Sequence, residues 1–116
     1  EERIDLILCP SFICPSVPHW LPNQIPHTAM MAAFLWNAMD FPAGVVTTSS
    51  WNAKDEAALA HYPARGMVQE AIKRRCRNSV GLPLSVQIVA PSYRDEMVLR
   101  VMVDLYDAVK KGESTD

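Results

Sequence analysis

The sequence predicts an α/β fold in which short strands alternate with helices. Two blocks carry most of that prediction, residues 40–46 and 78–90, because each is a turn that runs into a strand rich in β-branched residues. A third observation is the apolar periodicity of residues 92–111, which is typical of a helix with one buried face. The resulting order is strand, helix, strand, helix, strand, helix, as in α/β proteins.

The first predicted element is a short strand over residues 4–8, which Pro10 ends. Residues 9–26 follow as a loop that carries five prolines, at positions 10, 15, 18, 22 and 26. We interpret this segment as a rigid, extended loop that packs on the core. A wall of a substrate channel is the alternative interpretation of the same residues.

Residues 28–39 form the most hydrophobic predicted helix, with Thr28 in position to cap its N-terminus. Apolar side chains occur on every face of this helix, which indicates burial. At about 12 residues the helix would be about 18 Å long, too short to cross a bilayer. Core packing and the lining of an acyl-chain cavity both fit this pattern, and its methionines suit an irregular apolar surface.

The turn after this helix leads into the second strand. Phe41 precedes a proline, which excludes it from the helical region, and Gly44 gives the turn conformational freedom. Residues 45–46 begin the strand. We interpret the serine pair at residues 49–50 as the end of this strand and the start of a loop. It is not expected to hold a nucleophile, since nothing nearby supplies a base or an oxyanion hole.

Two helices are predicted before the third strand. In residues 52–62, Asn52 caps the helix, Asp55 stands at the capping-box position and Pro63 ends it. Residues 64–77 form the second of them, with one apolar stripe: Met67, Val68, Ala71 and Ile72. Its basic C-terminal end is explained by the helix dipole, and it lacks the interleaved aromatic residues of a nucleic-acid site.

The third strand and the last helix complete the chain. Residues 84–90 alternate as a mostly buried strand would. In the helix over residues 92–111, Ser92 with Asp95 resembles a capping box, Gly112 is a natural stop, and residues 113–116 are expected to fray. Three strands are only part of such a sheet and would leave unpaired edges. We therefore expect further chain, or a partner, to complete it.

The composition is that of a globular protein. The chain is 49% hydrophobic and 21% charged, and its formal net charge of −2 predicts no bulk attraction to nucleic acid or anionic lipid. No apolar run approaches the roughly 18–20 residues that span a bilayer. Three cysteines are an odd number, which favours free thiols in a reducing compartment: Cys9, Cys14 and Cys76. The histidines lack a second ligand at metal spacing, so neither a metal nor a cofactor is predicted.

Several blocks, in their order and spacing, resemble the carboxy-terminal part of the amidase signature family, and most closely its fatty-acid amide hydrolase branch. The resemblance covers nearly the whole chain. It is carried by residues 4–10, residues 37–46, the pairs Asp55-Glu56 and His61-Tyr62, and residues 94–96. It implies an α/β/α sandwich with a mixed central sheet. Residues 1–116 would be the carboxy-terminal part of a single amidase domain, incomplete on its own.

The resemblance also implies a function, namely hydrolysis of carboxamides, in particular fatty-acid amides, by a serine nucleophile, a second serine and a lysine. This family places its two serines in a Ser- and Gly-rich stretch that the sequence does not contain. The resemblance therefore implies no catalytic residue in this chain and identifies it as a fragment. It assigns substrate binding to Met30 and Phe34, with His27 at the mouth of the channel. Smaller or aliphatic residues are usual at these positions, so no acyl-length preference is implied.

Two other functions fit the same fold. One is an amidase-like subunit of an amidotransferase acting on charged tRNA, against which the long segment between Val46 and Gly81 argues. The other is a non-catalytic binding or scaffold protein. The expected partner is a lipid-like small-molecule amide and not nucleic acid. The expected location is intracellular, either cytoplasmic or membrane-associated. A homodimer, and membrane association through segments upstream of Glu1, are compatible with the resemblance.

Overall fold

The computed structural model describes residues 4–15 and 31–113, and this part of the chain alternates strands with helices as the sequence predicts. The strands are β1 (Ile7–Pro10), β2 (Ala43–Ser50) and β3 (Pro83–Val89). The helices are α1 (Met31–Ala38), α2 (Ala53–His61), α3 (Met67–Cys76) and α4 (Asp95–Glu113). The α/β fold class is thereby confirmed as that of a partial domain. Thr28 lies outside the described residues, so its role as a cap stays a prediction.

The sheet is small and has the order β1-β3-β2, with β3 in the centre. Both pairings are antiparallel: Ile7 lies opposite Val89 on one side of β3, and Val46 lies opposite Val86 on the other. The register of β2 shifts between Thr47 and Ser49, which leaves Thr48 as the extra residue of a bulge. Parallel neighbours, which a mixed sheet requires, would have to come from outside this part of the chain.

The first strand is displaced from its predicted position. It runs from Ile7 and includes Pro10, which lies opposite Val86, whereas the sequence placed it at residues 4–8. Proline was expected to end the strand because it lacks an N–H donor. It is tolerated here because β1 is an edge strand, on which one side of the backbone needs no partner.

The core lies between one face of the sheet and α4. Its buried members come from β2, from the end of β3 and from α4: Val46, Ile88, Ala90 and Val98. Val101, Met102 and Leu105 of α4 pack against them, together with Leu6. The helical periodicity of this segment predicts one buried face, formed by Val98, Val101, Met102, Leu105 and Val109, and the first four of these lie in the core cluster.

Gly44 has a different role from the one that the sequence suggested. It lies within β2, and among the described glycines only Gly81 has a positive φ, of 88°. A Cβ added at Gly44 would overlap the Met102 sulfur and come within 3.0 Å of Val98 Cγ1. This glycine is therefore needed for the close approach of α4 to the sheet and not for a turn.

Both predicted ends of α4 are wrong. Tyr93 has a φ of 65°, which is incompatible with a helix that begins just after Ser92, and α4 begins at Asp95. Gly112 lies inside the helix, which continues to Glu113. The capping box at the start of α2 is confirmed: Asn52 Oδ1 accepts from the Asp55 N–H at 3.1 Å, and Asp55 Oδ2 accepts from the Asn52 N–H at 2.9 Å.

The apolar stripe predicted for α3 is buried on one end only. Ala71 and Ile72 are half-buried, whereas Met67 is 92% exposed and Val68 is 43% exposed. Among the described elements, α3 packs against α2.

Candidate functional site

The turn between α1 and β2 has a defined geometry because α1 ends in a Schellman motif. Asp40 adopts a left-handed conformation, with a φ of 54°. Its N–H donates to the Asn37 carbonyl at 3.2 Å, and the Phe41 N–H donates to the Trp36 carbonyl at 3.0 Å. These two bonds satisfy carbonyl groups at the end of the helix and fix the backbone of the turn that leads to Phe41.

The same turn is fastened to the end of β3. The Ser92 hydroxyl donates to the Asp40 carbonyl at 2.9 Å, and the Ala90 N–H donates to the Pro42 carbonyl at 3.1 Å. Ser92 therefore holds the turn in place, which explains why its side chain does not cap α4.

An apolar cavity of about 180 Å³ lies beside this turn. We call it the turn cavity. Phe41 forms one part of its wall. The rest comes from the segment that leads into β1 and from the end of β3: Ile4, Asp5, Leu6 and Ile7, then Val89, Ala90 and Pro91. Its wall is almost entirely hydrocarbon, with Asp5 as the one acidic side chain among the described lining residues. A cavity of this composition binds hydrocarbon by excluding water, and it offers few polar groups for chemistry.

An aromatic pair connects the turn cavity to α1. The Trp36 ring stacks on Phe41 with a centroid distance of 6.4 Å and an angle of 11° between the ring planes. The indole Nε1 is buried, and among the described residues it has no hydrogen-bond acceptor. The pair extends the apolar surface from the cavity to the end of the helix.

Only one of the three substrate-binding residues predicted from the sequence lies in the described part of the chain. His27 and Met30 lie outside the described residues, so their roles stay predictions. Phe34 is on α1 and is 45% exposed, as is its neighbour Leu35. A fully buried α1 was the expectation, and it is wrong for this chain because the described elements cover only part of the helix.

A second cluster, formed around Glu56, is polar. Its Oε2 accepts from the Trp51 indole N–H at 2.9 Å, and its Oε1 accepts from the Asn78 N–H at 2.9 Å. The Asn78 N–H is the main reason that the pKa of Glu56 lies below its ordinary value, with the indole and the Ser79 N–H acting in the same direction. Both carboxylate oxygens are engaged, so this group is suited to holding α2 to the turn before β3 and not to acid–base chemistry.

Other classes of site find little support in the described part of the chain. Within residues 4–15 and 31–113, no three His, Cys, Asp or Glu side chains are placed to hold a metal ion. None of the helices in these ranges is long and apolar enough to cross a membrane.

Sequence reasoning missed Trp36 and Phe41. Phe41 was considered only as the residue before a proline, and Trp36 only as one of many apolar residues in a helix. Their contact depends on the left-handed conformation of Asp40, and aspartate is among the few residue types enriched in that conformation. The sequence signal that could have indicated this contact is therefore an aspartate that follows a predicted helix and precedes Phe-Pro.

Comparison with known proteins adds to this geometry. Residues 1–99 match the family described as Amidase. Fatty acid amide hydrolase 1 of Caenorhabditis elegans is 36% identical over 110 residues, and Fatty-acid amide hydrolase 1 of Sus scrofa is 37% identical over 115 residues. Each alignment covers 94% of this chain and 19% of the relative. The chain thus spans about a fifth of the length of these curated relatives.

Proposed function

The chain belongs to the amidase family, and from that premise we propose that it is the carboxy-terminal section of an enzyme that hydrolyses fatty-acid amides. The observation that carries this proposal is the similarity to two fatty-acid amide hydrolases along 94% of the chain. A hydrocarbon-lined cavity at the turn after α1 supports it, because a fatty acyl chain needs an apolar wall.

The proposed contribution of this chain is structural and substrate-binding. The sheet and α4 form the frame, and the turn after α1 sets Phe41 against the turn cavity. Phe34, which is 45% exposed, offers further apolar surface along α1. We place the acyl chain along this surface and propose Met30 as a further contact.

The Ser-Ser-Lys residues of the reaction are proposed to lie outside this chain. The serine pair at residues 49–50 supports that assignment, since both serines are exposed and end strand β2, opposite Leu84 and Pro83. Successive residues of a strand point to opposite faces, so these two hydroxyls do not face each other as a serine–serine–lysine site would need.

The test is a bulk substitution on α1 in the full-length protein. Phe34→Trp adds volume on the face that we assign to the acyl chain. We expect kcat/KM for a long acyl amide to fall about tenfold or more, while that for a short acyl amide changes little, because a short chain does not reach the added ring. The measurement is kcat/KM for both substrates, together with the melting temperature.

Leu35→Trp is the matched control. Leu35 is equally exposed but lies about 100° further around the helix. It should leave the ratio of long-chain to short-chain activity unchanged. If Phe34→Trp lowers both activities in parallel along with the melting temperature, Phe34 is an ordinary packing residue and the proposed channel wall is wrong.

A further inference from the structure

The wall of the turn cavity is built by segments that lie far apart in the sequence. Phe41 belongs to the turn after α1, whereas Ala90 and Pro91 follow directly from β3. Because these two parts of the wall are not neighbours along the chain, their separation depends on contacts made across the fold. The bonds that join the turn to the end of β3 therefore set the shape of the cavity.

Two hydrogen bonds in the described part of the chain join the turn to this end of β3. The Ala90 N–H donates to the Pro42 carbonyl at 3.1 Å, and the Ser92 hydroxyl donates to the Asp40 carbonyl at 2.9 Å. The first bond extends the backbone pairing of β2 with β3 by one residue. The second is made by a side chain, so a single substitution can remove it without altering the backbone.

The acceptor of the second bond lies at a strained point of the turn. Asp40 has a left-handed φ of 54°, a conformation that is unfavourable for a residue other than glycine. A hydrogen bond to its carbonyl holds the peptide group between Asp40 and Phe41 in the orientation that the turn requires. Phe41 stacks on Trp36 and lines the turn cavity, so the orientation of this peptide group also affects the position of both rings.

The donor of the second bond is attached to the opposite part of the wall. Ser92 follows Pro91, which lines the cavity, and precedes Tyr93, whose φ of 65° keeps this turn outside α4. Its hydroxyl therefore reaches back to Asp40 instead of capping the helix. Ser92 is linked covalently to one part of the cavity wall and by a hydrogen bond to the other.

We propose that Ser92 is a positioning residue for acyl binding, which acts through the Asp40 carbonyl to keep Phe41 at a fixed distance from the opposite wall. The inference rests on the proposed function, in which a fatty acyl chain lies along this apolar surface. Ser92 does not contact the substrate in this account. A cavity whose walls are already in place binds an acyl chain more tightly, because the turn does not have to be ordered during binding.

The test is Ser92→Ala in the full-length protein, which removes the hydroxyl and keeps the backbone. We expect KM for a long acyl amide to rise about threefold to tenfold, as for the loss of one hydrogen bond, with kcat unchanged. KM for a short acyl amide should not change, since a short chain does not reach the turn. Ser92→Thr keeps the hydroxyl and should restore the wild-type KM.

Ser11→Ala is the matched control. The Ser11 hydroxyl donates to the Ser85 carbonyl at 3.0 Å, so this substitution removes a bond of the same kind between the end of β1 and β3. Neither residue is among the described residues that line the turn cavity. The dependence of KM on acyl length should therefore be the same in Ser11→Ala as in the wild type.

A second measurement is independent of activity. In protein labelled with fluorotryptophan, the fluorine NMR signal of Trp36 can be assigned by its loss in Trp36→Phe. We expect this signal to shift in Ser92→Ala and to return in Ser92→Thr, because the Trp36 ring stacks on Phe41. The signal of Trp51, which is bonded to Glu56, should stay in place in both variants.

Ser92→Cys keeps the test decisive if Ser92→Ala does not fold. A thiol of similar size is a weak donor, so the same changes are expected with smaller amplitude. An unchanged Trp36 signal in the folded variant overturns the inference, as does a parallel rise in KM for both substrates. Failure of the proposed function gives a different result, a wild-type protein that hydrolyses no fatty-acid amide, and that result overturns both.

Discussion

At the scale of single residues, Glu56 is a side chain that joins the segments on either side of the α2–α3 pair. It lies in the first turn of α2, yet its carboxylate accepts hydrogen bonds from Trp51 before that helix and from Asn78 after α3. Asn78 has a left-handed φ of 60°, which turns its N–H toward the carboxylate. One ionised side chain therefore fixes the two ends of the α2–α3 pair to the turn before β3.

This arrangement predicts a specific pH dependence. The pKa of Glu56 is lowered from 4.5 in the folded chain, mainly by the Asn78 N–H, so the bonds are complete above that value. They are lost only as the pH falls through the lowered folded pKa. We expect the indole N–H resonance of Trp51, followed by NMR, to shift with a midpoint below 4.5.

Glu56→Gln should abolish that titration of the Trp51 resonance while keeping the shape of the side chain. The indole resonance of Trp36 is the internal control, because its buried nitrogen has no acceptor among the described residues. A Trp51 midpoint at or above 4.5 would contradict the inferred stabilisation of the Glu56 carboxylate.

Prediction of the site from sequence was limited by long-range contacts. Phe34 was identified through resemblance, and the structure leaves it partly exposed on α1. Phe41 and Trp36 were not identified, because their stacking follows from a helix end that a residue pattern does not display.

At the scale of elements, the approach of α4 to the sheet is the central packing feature. Strand β2 presents Gly44 to Val98 and Met102 of α4, and Val46 joins the buried cluster two residues later. The missing side chain at Gly44 lets the helix lie close, so that Ile88 is completely excluded from solvent. The burial of apolar side chains in the core therefore depends on the close contact between Gly44 and α4.

Gly44→Ala is therefore expected to destabilise the protein by about 1–3 kcal/mol through overpacking, because both Met102 and Val98 have to move. Gly112→Ala is the matched control, since a Cβ there meets no atom within 4 Å and alanine favours a helix. The measurement is the free energy of unfolding in denaturant for both variants. Equal effects of the two substitutions would show that α4 does not need a glycine beneath it.

Elements were predictable where one local signal dominates. The capping box of α2 and the buried stripe of α4 were both evident in the sequence, because hydrogen-bonding pattern and periodicity are local properties. The ends of α1 and α4 were less predictable, since Asp40 and Tyr93 take left-handed conformations that glycine more often adopts. Pro10 was misplaced because its tolerance depends on the edge position of β1.

At the scale of the whole chain, the described residues form a frame with uncovered surfaces. One face of the sheet packs on α4, whereas Val45 on the other face is half exposed, and both outer strands have a free side within the described part. Phe34 and Leu35 of α1 are likewise only partly covered. This pattern supports the proposal that the chain is one section of a larger amidase domain.

The central claim is that this chain supplies frame and acyl wall to a serine hydrolase whose reactive serine lies elsewhere. The most direct measurement is to treat the full-length protein with a serine-directed fluorophosphonate and to locate the modified peptide by mass spectrometry. We predict stoichiometric labelling at a serine outside these 116 residues, competed by a long-chain fatty-acid amide. Stoichiometric labelling of any serine within the chain, Ser49 and Ser50 included, would contradict the account.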